Sequence, residues 1–546
     1  MLDDKDHFSI LSTSSSFGKL GSPDFPSQAS SIYRREPTLA EIESVQHEIH
    51  AHGCDIAAID ADISRLQREI ALLRQQRARH EEAVKKCKGA ITLARRIPPE
   101  LLAYIFELCA QEGWSLAPVV VSQVCSAWRM AAKAPNVWSH LYVNCDDYKV
   151  ISRTRFWLSN ALHAALHVTI RATTVHRTYI DILRLLESHI AQLKVLRISS
   201  PRRLVTEGIM AWFNDNSAPL LESVTVEVDE ATNDEASTGA IPFSNAPSLR
   251  TFTLSSPSMQ PLGSLPSQIV NLHINLKSME DTGAVLSVQA ILSAVASLPT
   301  LKIFKLTISA TSFSAIHLPQ DPTPISSGLE TVTLEASPAG WVLLDYLHLP
   351  HLRRLHLLSL PETSLGYPDA AAGALLKRFL VNSTPPLETL ELYDIDLSDS
   401  DFCSCFSLLG SLRDLRLHSS DISDATLSGL RGHNGWCPEL RRLDLRWCGT
   451  LTGRALVDLV RSRSAADMIP HGPPVEEITV IHCAFVGEED VLELARLTTC
   501  RVVHRNGDHL PGHRGCCDNA RYRQRLRLRH LKDFMSHYGS SLRLVI

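Results

Sequence analysis

The chain has 546 residues, 44% hydrophobic and 21% charged, with a formal net charge of −5. That is ordinary globular composition, long enough for more than one domain, with no global pull toward nucleic acid or anionic membrane. Apolar runs such as Ala117 to Val121 fall far below the roughly 20 residues that span a bilayer.

The acidic start MLDDKDHFSI lacks a signal-peptide layout. Thirteen cysteines at irregular spacing point to reduced, mostly buried thiols in the cytosol or nucleus. Residues 1–36 are rich in Ser, Pro and Gly without periodicity and read as disordered.

Residues 37–95 carry a heptad pattern. Ile42, Ile49, Ile56, Ile63, Ile70, Val84 and Ile91 hold one core position, and Val45, Ile59, Leu66, Leu73 and Cys87 the other. His52, Arg77 and His80 interrupt the seam. The spacing predicts a coiled-coil helix about 75 Å long. Residues 37–63 contain six acids and no Lys or Arg, while 64–96 contain ten Lys or Arg against three Glu. Charge therefore favours an antiparallel pair, whereas β-branched and Leu placement favours a parallel dimer. Packing on the chain's own surface is a third arrangement. Self-association through residues 39–91 is an expectation.

Residues 96–145 follow directly: RIPPELLAYIFELCAQEGWSLAPVVVSQVCSAWRMAAKAPNVWSHLYVNC. Pro98 and Pro99 suit a helix N-terminus. Apolar residues then surround a short helix, and two further helical pieces are expected after Pro118 and Pro135. So small a module cannot bury that much apolar surface by itself, which marks a partner site. The order Pro-Pro-Glu-Leu-Leu, Ile-Phe, Val-Cys-x-x-Trp, Pro-x-x-Trp-x-x-Leu resembles the F-box, and more closely its F-box-like variant. The matching positions are Pro98, Glu100, Leu101, Leu102, Ile105, Phe106, Val124, Cys125, Trp128, Trp138 and Leu141. Ile97 stands where the family usually has Leu, and GWSLAP reads as an insert. The resemblance implies that these residues, Ile97 included, dock a Skp-type adaptor and through it a cullin–RING ubiquitin ligase.

Residues 146–510 repeat one phrase: an apolar residue, two spacers, an apolar residue, one spacer, an apolar residue. It runs from LKVLRI (193–198), LESVTV, LRTFTL, IVNLHI and LKIFKL through LETVTL, LRRLHL, LETLEL and LRDLRL to LRRLDL and VEEITV (475–480). The eleven copies begin 20 to 35 residues apart, with helical stretches such as TGRALVDLVRSRS between them. Strand plus helix at this period resembles an irregular leucine-rich-repeat solenoid. The expected fold class is thus mixed α and α/β: heptad helix, three-helix F-box-like module, then that α/β solenoid. Spacer residues on the last copies make the exposed strand face, namely Glu391, Arg413, Asp414, Arg416, Arg441, Arg442, Asp444 and Arg446. Of these, Arg413, Arg416, Arg442, Asp444 and Arg446 are candidates for holding a target by bidentate pairing, beside the blander reading of solvated strand positions.

No phosphate-binding lysine loop, H-E-x-x-H or G-x-S-x-G occurs, so no enzymatic role or cofactor is expected. The cluster Cys500, His504, His509, His513, Cys516 and Cys517 lacks metal-pair spacing, and no metal is expected. Residues 511–546 form a basic cap or tail, with five alternate arginines in RYRQRLRLRH (521–530). Nucleic-acid binding would rest on that segment alone. The expectation is a non-catalytic substrate receptor of a Skp–cullin–F-box ligase with an unknown target protein. The alternative is a coiled-coil, leucine-rich-repeat scaffold without a ligase link. Heptad helix, F-box-like segment and loose repeats together resemble a large group of fungal proteins.

Overall fold

The computed structural model describes residues 36–91, 97–173, 178–229, 243, 245–257, 265–277, 285–308, 315–317, 324–336, 338–359, 370–431, 435–464 and 473–503. The segment read as disordered (Glu36 apart), the Cys/His cluster beyond Cys500 and the basic 511–546 segment lie outside these residues. The chain divides after Ile97 into two units.

The first unit contains one 53-residue helix, α1 (Leu39–Ile91), about 80 Å long. Glu41 starts it by accepting the Thr38 N–H at 2.8 Å, which satisfies one of the donors that a helix start leaves free. Arg65–Asp62 and Arg77–Glu81 pairs decorate its surface, each worth a few tenths of a kcal/mol. Ile42, Val45, Ile49, Ile56, Ile59, Ile63, Leu66, Ile70, Leu73 and Val84 are all exposed.

The second unit begins with α2 (Pro99–Gln111), α3 (Ala117–Val124) and α4 (Ser126–Ala131), then a 3-10 turn at Pro135–Trp138. Among the described residues, fourteen strands follow in one sheet. They are β1 (His140–Asn144), β2 (Leu166–Arg171), β3 (Leu193–Ser200), β4 (Ser223–Val228), β5 (Thr251–Ser256), β6 (Asn271–Leu276) and β7 (Ile303–Ile308). The sheet continues with β8 (Thr331–Glu335), β9 (Arg354–Leu358), β10 (Thr389–Tyr393), β11 (Asp414–His418), β12 (Arg442–Arg446), β13 (Glu477–Ile481) and β14 (Thr499–Val503). Every neighbouring pair is parallel and in chain order. Two short pairs, 285–287 with 315–317 and 325–326 with 347–348, lie outside it.

All eleven repeated phrases form strands of this sheet, because their second and third apolar residues fall two apart and point the same way. Leu390 and Leu392, Leu415 and Leu417, and Leu443 and Leu445 are buried rungs. Parallel neighbours need a long crossover, and from β9 onward an α-helix fills each one. These helices are α9 (Ala370–Ser383), α10 (Asp399–Phe406), α11 (Asp424–Gly429), α12 (Gly453–Ser464) and α13 (Glu488–Leu497), each packed against the next. Earlier crossovers carry α5 (Val150–Ala161), α6 (Thr178–Glu187), α7 (Arg203–Asp215) and α8 (Val288–Ala296).

One backbone device recurs after β10 to β13. Asp394, Ser419, Trp447 and His482, each directly after its strand, adopt φ of 56°, 50°, 52° and 54°. This left-handed turn costs a non-glycine residue roughly 1 kcal/mol and sends the next residue inward. Ile395, Ser420, Cys448 and Cys483 are accordingly buried. The Cys448 thiol donates to the Leu417 carbonyl at 3.4 Å, and Cys483 to Leu445 at 3.7 Å. The Trp447 and His482 rings stack at 5.9 Å, offsetting part of the strain. Carboxylates link successive helix starts: Asp399 accepts from Ser423 and Thr426, and Asp424 from Thr452.

Two sequence expectations need correction. The stretch after Pro118 is not one helix, because Cys125 is extended (φ −159°, ψ 173°) and splits it into α3 and α4. Leu141 is not helical either. HLYVN alternates with period two, so it forms β1, whose backbone pairs with β2. Residues 96–145 and the sheet therefore share an element instead of meeting at a linker.

Candidate functional site

Two surfaces of the second unit gather the residues singled out above. On α2, Leu102, Phe106 and Ala110 recur every fourth residue and face inward. Phe106 packs on Trp128 with ring centroids 5.0 Å apart. Trp138 is buried and donates its indole N–H to the Ala132 carbonyl at 2.6 Å, with Phe156 and Trp157 of α5 edge-on against it. Leu141 is buried on β1. Leu102, Phe106, Trp138 and Leu141 thus sit in this chain's own core.

The opposite stripe of α2 is open. Leu101 is 55% and Ile105 41% exposed, with Tyr104 and Leu108 beside them. Val120 and Val124, one turn apart on α3, are exposed too, as are Trp114, Leu116 and Met130. Pro98 and Glu100 are exposed at the start of α2, while Ile97, Cys125 and Trp128 are partly covered. Of the twelve sequence candidates, Leu101, Ile105 and Val124 are apolar and open to a partner. Tyr104, Trp114, Leu116, Val120 and Met130 were not among those candidates. The fourfold spacing of the buried set would have separated the two faces.

The second surface is the exposed face of β9–β13. The register aligns Thr389, Asp414, Arg442 and Glu477 in one row and Glu391, Arg416, Asp444 and Thr479 in the next. Arg416 forks onto Asp414 at 3.3 and 2.8 Å, and Arg446 onto Asp444 at 2.8 and 2.7 Å. These two arginines, expected to grip a target, spend their bidentate geometry on carboxylates two residues back in their own strands. Asp444 is likewise engaged within the chain. Arg413 and Arg442 remain more open.

Two histidines complete this face and were not among the candidates. His356 hydrogen-bonds Glu391 at 2.8 Å. His418 lies 3.7 Å from both Glu391 and Asp444, electrostatic contacts too long for hydrogen bonds. The His356 hydrogen bond, with His418 and Arg416 nearby, holds the Glu391 carboxyl below its ordinary range. Burial opposes ionisation of Asp444, but the contacts from His418 and Arg446 outweigh it and keep that carboxyl well below the usual range.

Burial pushes the Cys145, Cys405 and Cys437 thiols up to about 12, so they stay protonated at neutral pH. Among the described residues, no three His, Cys, Asp or Glu side chains gather as metal ligands, and no helix is long and apolar enough to cross a membrane.

With the helices, the exposed stripe and the sheet in view, comparison with protein families returns one description. An F-box-like model matches residues 94–144, so that stretch is an F-box-like domain, with the apolar stripe of α2 on its surface. No curated protein matches the chain.

Proposed function

We propose that the chain is a non-catalytic substrate receptor of a Skp–cullin–F-box ubiquitin ligase. The F-box-like domain grips a Skp-type adaptor, and the strand–helix array, read as a leucine-rich-repeat solenoid, holds a target protein. The observation that carries this is the open stripe of Leu101, Ile105 and Leu108 on the matched domain. Exposed apolar side chains on a short helix mark a surface kept for a partner. The mechanism is geometric: a target held by the same chain meets the ligase at high effective concentration. Cullin–RING recruitment follows from the adaptor and needs no chemistry from this chain.

The test is capture of the full-length chain by a purified Skp-type adaptor. Burying each apolar residue contributes about 1.5–3 kcal/mol. Leu101→Asp with Ile105→Asp should therefore weaken capture at least a hundredfold, with an unchanged circular-dichroism spectrum. Failure of the folded wild type to bind would sink the ligase reading.

A specific observation favours a second reading, a coiled-coil scaffold without a ligase link. The heptad seam of α1 is exposed from Ile42 to Val84, and a second copy would cover it. A dimer by sedimentation that does not bind the adaptor would select this reading.

A further inference from the structure

We propose that the groove over β9–β12 binds an extended acidic segment of a partner protein, four to six residues long, whose negative groups are carboxylates or phosphates. This rests on reading the exposed strand face as the target surface, and it names the chemistry that face recognises.

The groove has a volume of about 610 Å³ and is lined by five arginines against three carboxylates. Those arginines are not equivalent. Arg416 is forked onto Asp414, and Arg441 reaches Glu476 at 2.8 Å. Arg413 is exposed and has no ion-pair partner among the described residues. The nearest carboxylate to Arg442 is Glu477 at 4.0 Å, which is itself held by Arg501 at 2.8 Å. Arg354 lines the same groove and sits three strands from Arg442 in one row, since Arg354 pairs with Thr389, Thr389 with Asp414, and Asp414 with Arg442.

Adjacent strands lie about 4.8 Å apart, so Arg354 and Arg442 are separated by roughly 14 Å with Arg413 between them. An extended chain advances about 3.3 Å per residue, and four residues cover that span. Guanidinium groups at these intervals, none of them forked onto a carboxylate among the described residues, suit separate anions, each taken in bidentate fashion. The interspersed carboxylates Glu388, Asp414 and Glu476 would repel a continuous phosphodiester chain, and no Phe, Tyr or Trp lines the groove for base stacking. Both facts favour a protein segment over a nucleic acid.

The experiment uses the full-length chain and three fluorescein-labelled ten-residue peptides, one carrying Glu at alternate positions, one phosphoserine and one neutral serine. Anisotropy should rise for the acidic peptides only and fall back as salt increases. Which acidic peptide binds tighter identifies the source of the charge. Arg413→Ala with Arg442→Ala should weaken binding at least tenfold with the urea midpoint unchanged. Arg184→Ala on α6 should leave binding as it was. Equal binding by the double variant, equal binding of the neutral peptide, or tighter binding of a single-stranded oligonucleotide would each overturn the proposal. Adaptor capture is measured on the same preparation. Capture without peptide binding leaves the receptor reading standing and removes this one, and peptide binding without capture does the reverse.

Discussion

Strands β4–β8 and β9–β13 run in one parallel sheet and bury the same kind of apolar rung, yet they expose different chemistry. On the earlier stretch Asn271 donates to the Thr251 hydroxyl and Asn275 to Ser255, both at 3.2 Å. These are neutral pairs between neighbouring strands. On the later stretch the same rungs hold Glu391, Arg416, His418, Asp444 and Arg446 in a linked charge network. The crossovers differ as well. Among the described residues α8 is the α-helix between β4 and β8, while a helix fills each crossover from β9 to β14. On the earlier stretch Asn271 and Asn275 each keep the side-chain oxygen unpaired among the described residues, and the charge there includes a Lys305–Glu335 pair at 2.6 Å between β7 and β8. The groove beside the later network is lined by five arginines against three carboxylates, which is the basis of the anion site proposed above. The later half is thus the more charged part of the face, and among the described residues it is the part with a helix in every crossover.

The largest effect that would break this contrast comes from the buttress. Arg463, at the end of α12, is buried and donates to the carbonyls of Leu430, Trp436 and Cys437 at 2.8, 3.0 and 3.0 Å. Arg463→Met would leave those carbonyls buried without donors, at a cost of about 3 kcal/mol. Urea denaturation reads that loss. Hydrogen exchange should place it in β11–β13 and spare β4–β6; uniform loss along the sheet would show that the two halves do not differ in support.

A smaller effect tests the charge network through pH. The ordinary values are 4.5 for Glu391 and 3.8 for Asp444, and both are lowered in the fold. Below about pH 4.5 the unfolded chain takes up protons that the folded chain resists. Stability from these groups is thus complete above that pH and is lost as pH falls toward the lowered values. Asp444→Asn should cost about 1 kcal/mol at pH 7, allowing for its partial exposure, and less at pH 3. Parallel pH curves for wild type and variant would remove the network from the account. The smallest effect is expected at the neutral Thr251–Asn271 pair of the earlier half. Thr251→Val should cost about 0.5 kcal/mol, equally at pH 7 and pH 3, and any pH dependence there would erase the distinction.

Much of this organisation was legible in the residues. The phrase with apolar positions at intervals of three and two located eleven strands because side-chain alternation is a local rule. Three strands escaped it. The same spacing is present in each, as Trp138, Leu141 and Val143, as Ala165, Val168 and Ile170, and as Leu497, Cys500 and Val502, but with few of the leucines that make most other copies conspicuous. The left-handed turns after Tyr393, His418, Arg446 and Ile481 had no glycine to announce them; at the last two, ring stacking and thiol contacts offset part of the cost. The paired state of Arg416 and Arg446 was not foreseen, although Asp-x-Arg on a strand places both side chains on one face. His356 and His418 gain their roles only from partners 35 and 26 residues away, at Glu391 and Asp444.

The sequence by itself determined the order of parts: a heptad helix, a short module with an F-box-like pattern, and a train of alternating strands. Each rests on periodicity, which the backbone enforces within a few residues. Only the tertiary structure decided which side of α2 is core and which is open, that β1 joins the module to the sheet, and which arginines are already neutralised. Those outcomes depend on neighbours brought together across tens of residues, and a guanidinium is available to a partner only if no carboxylate in its own fold reaches it first.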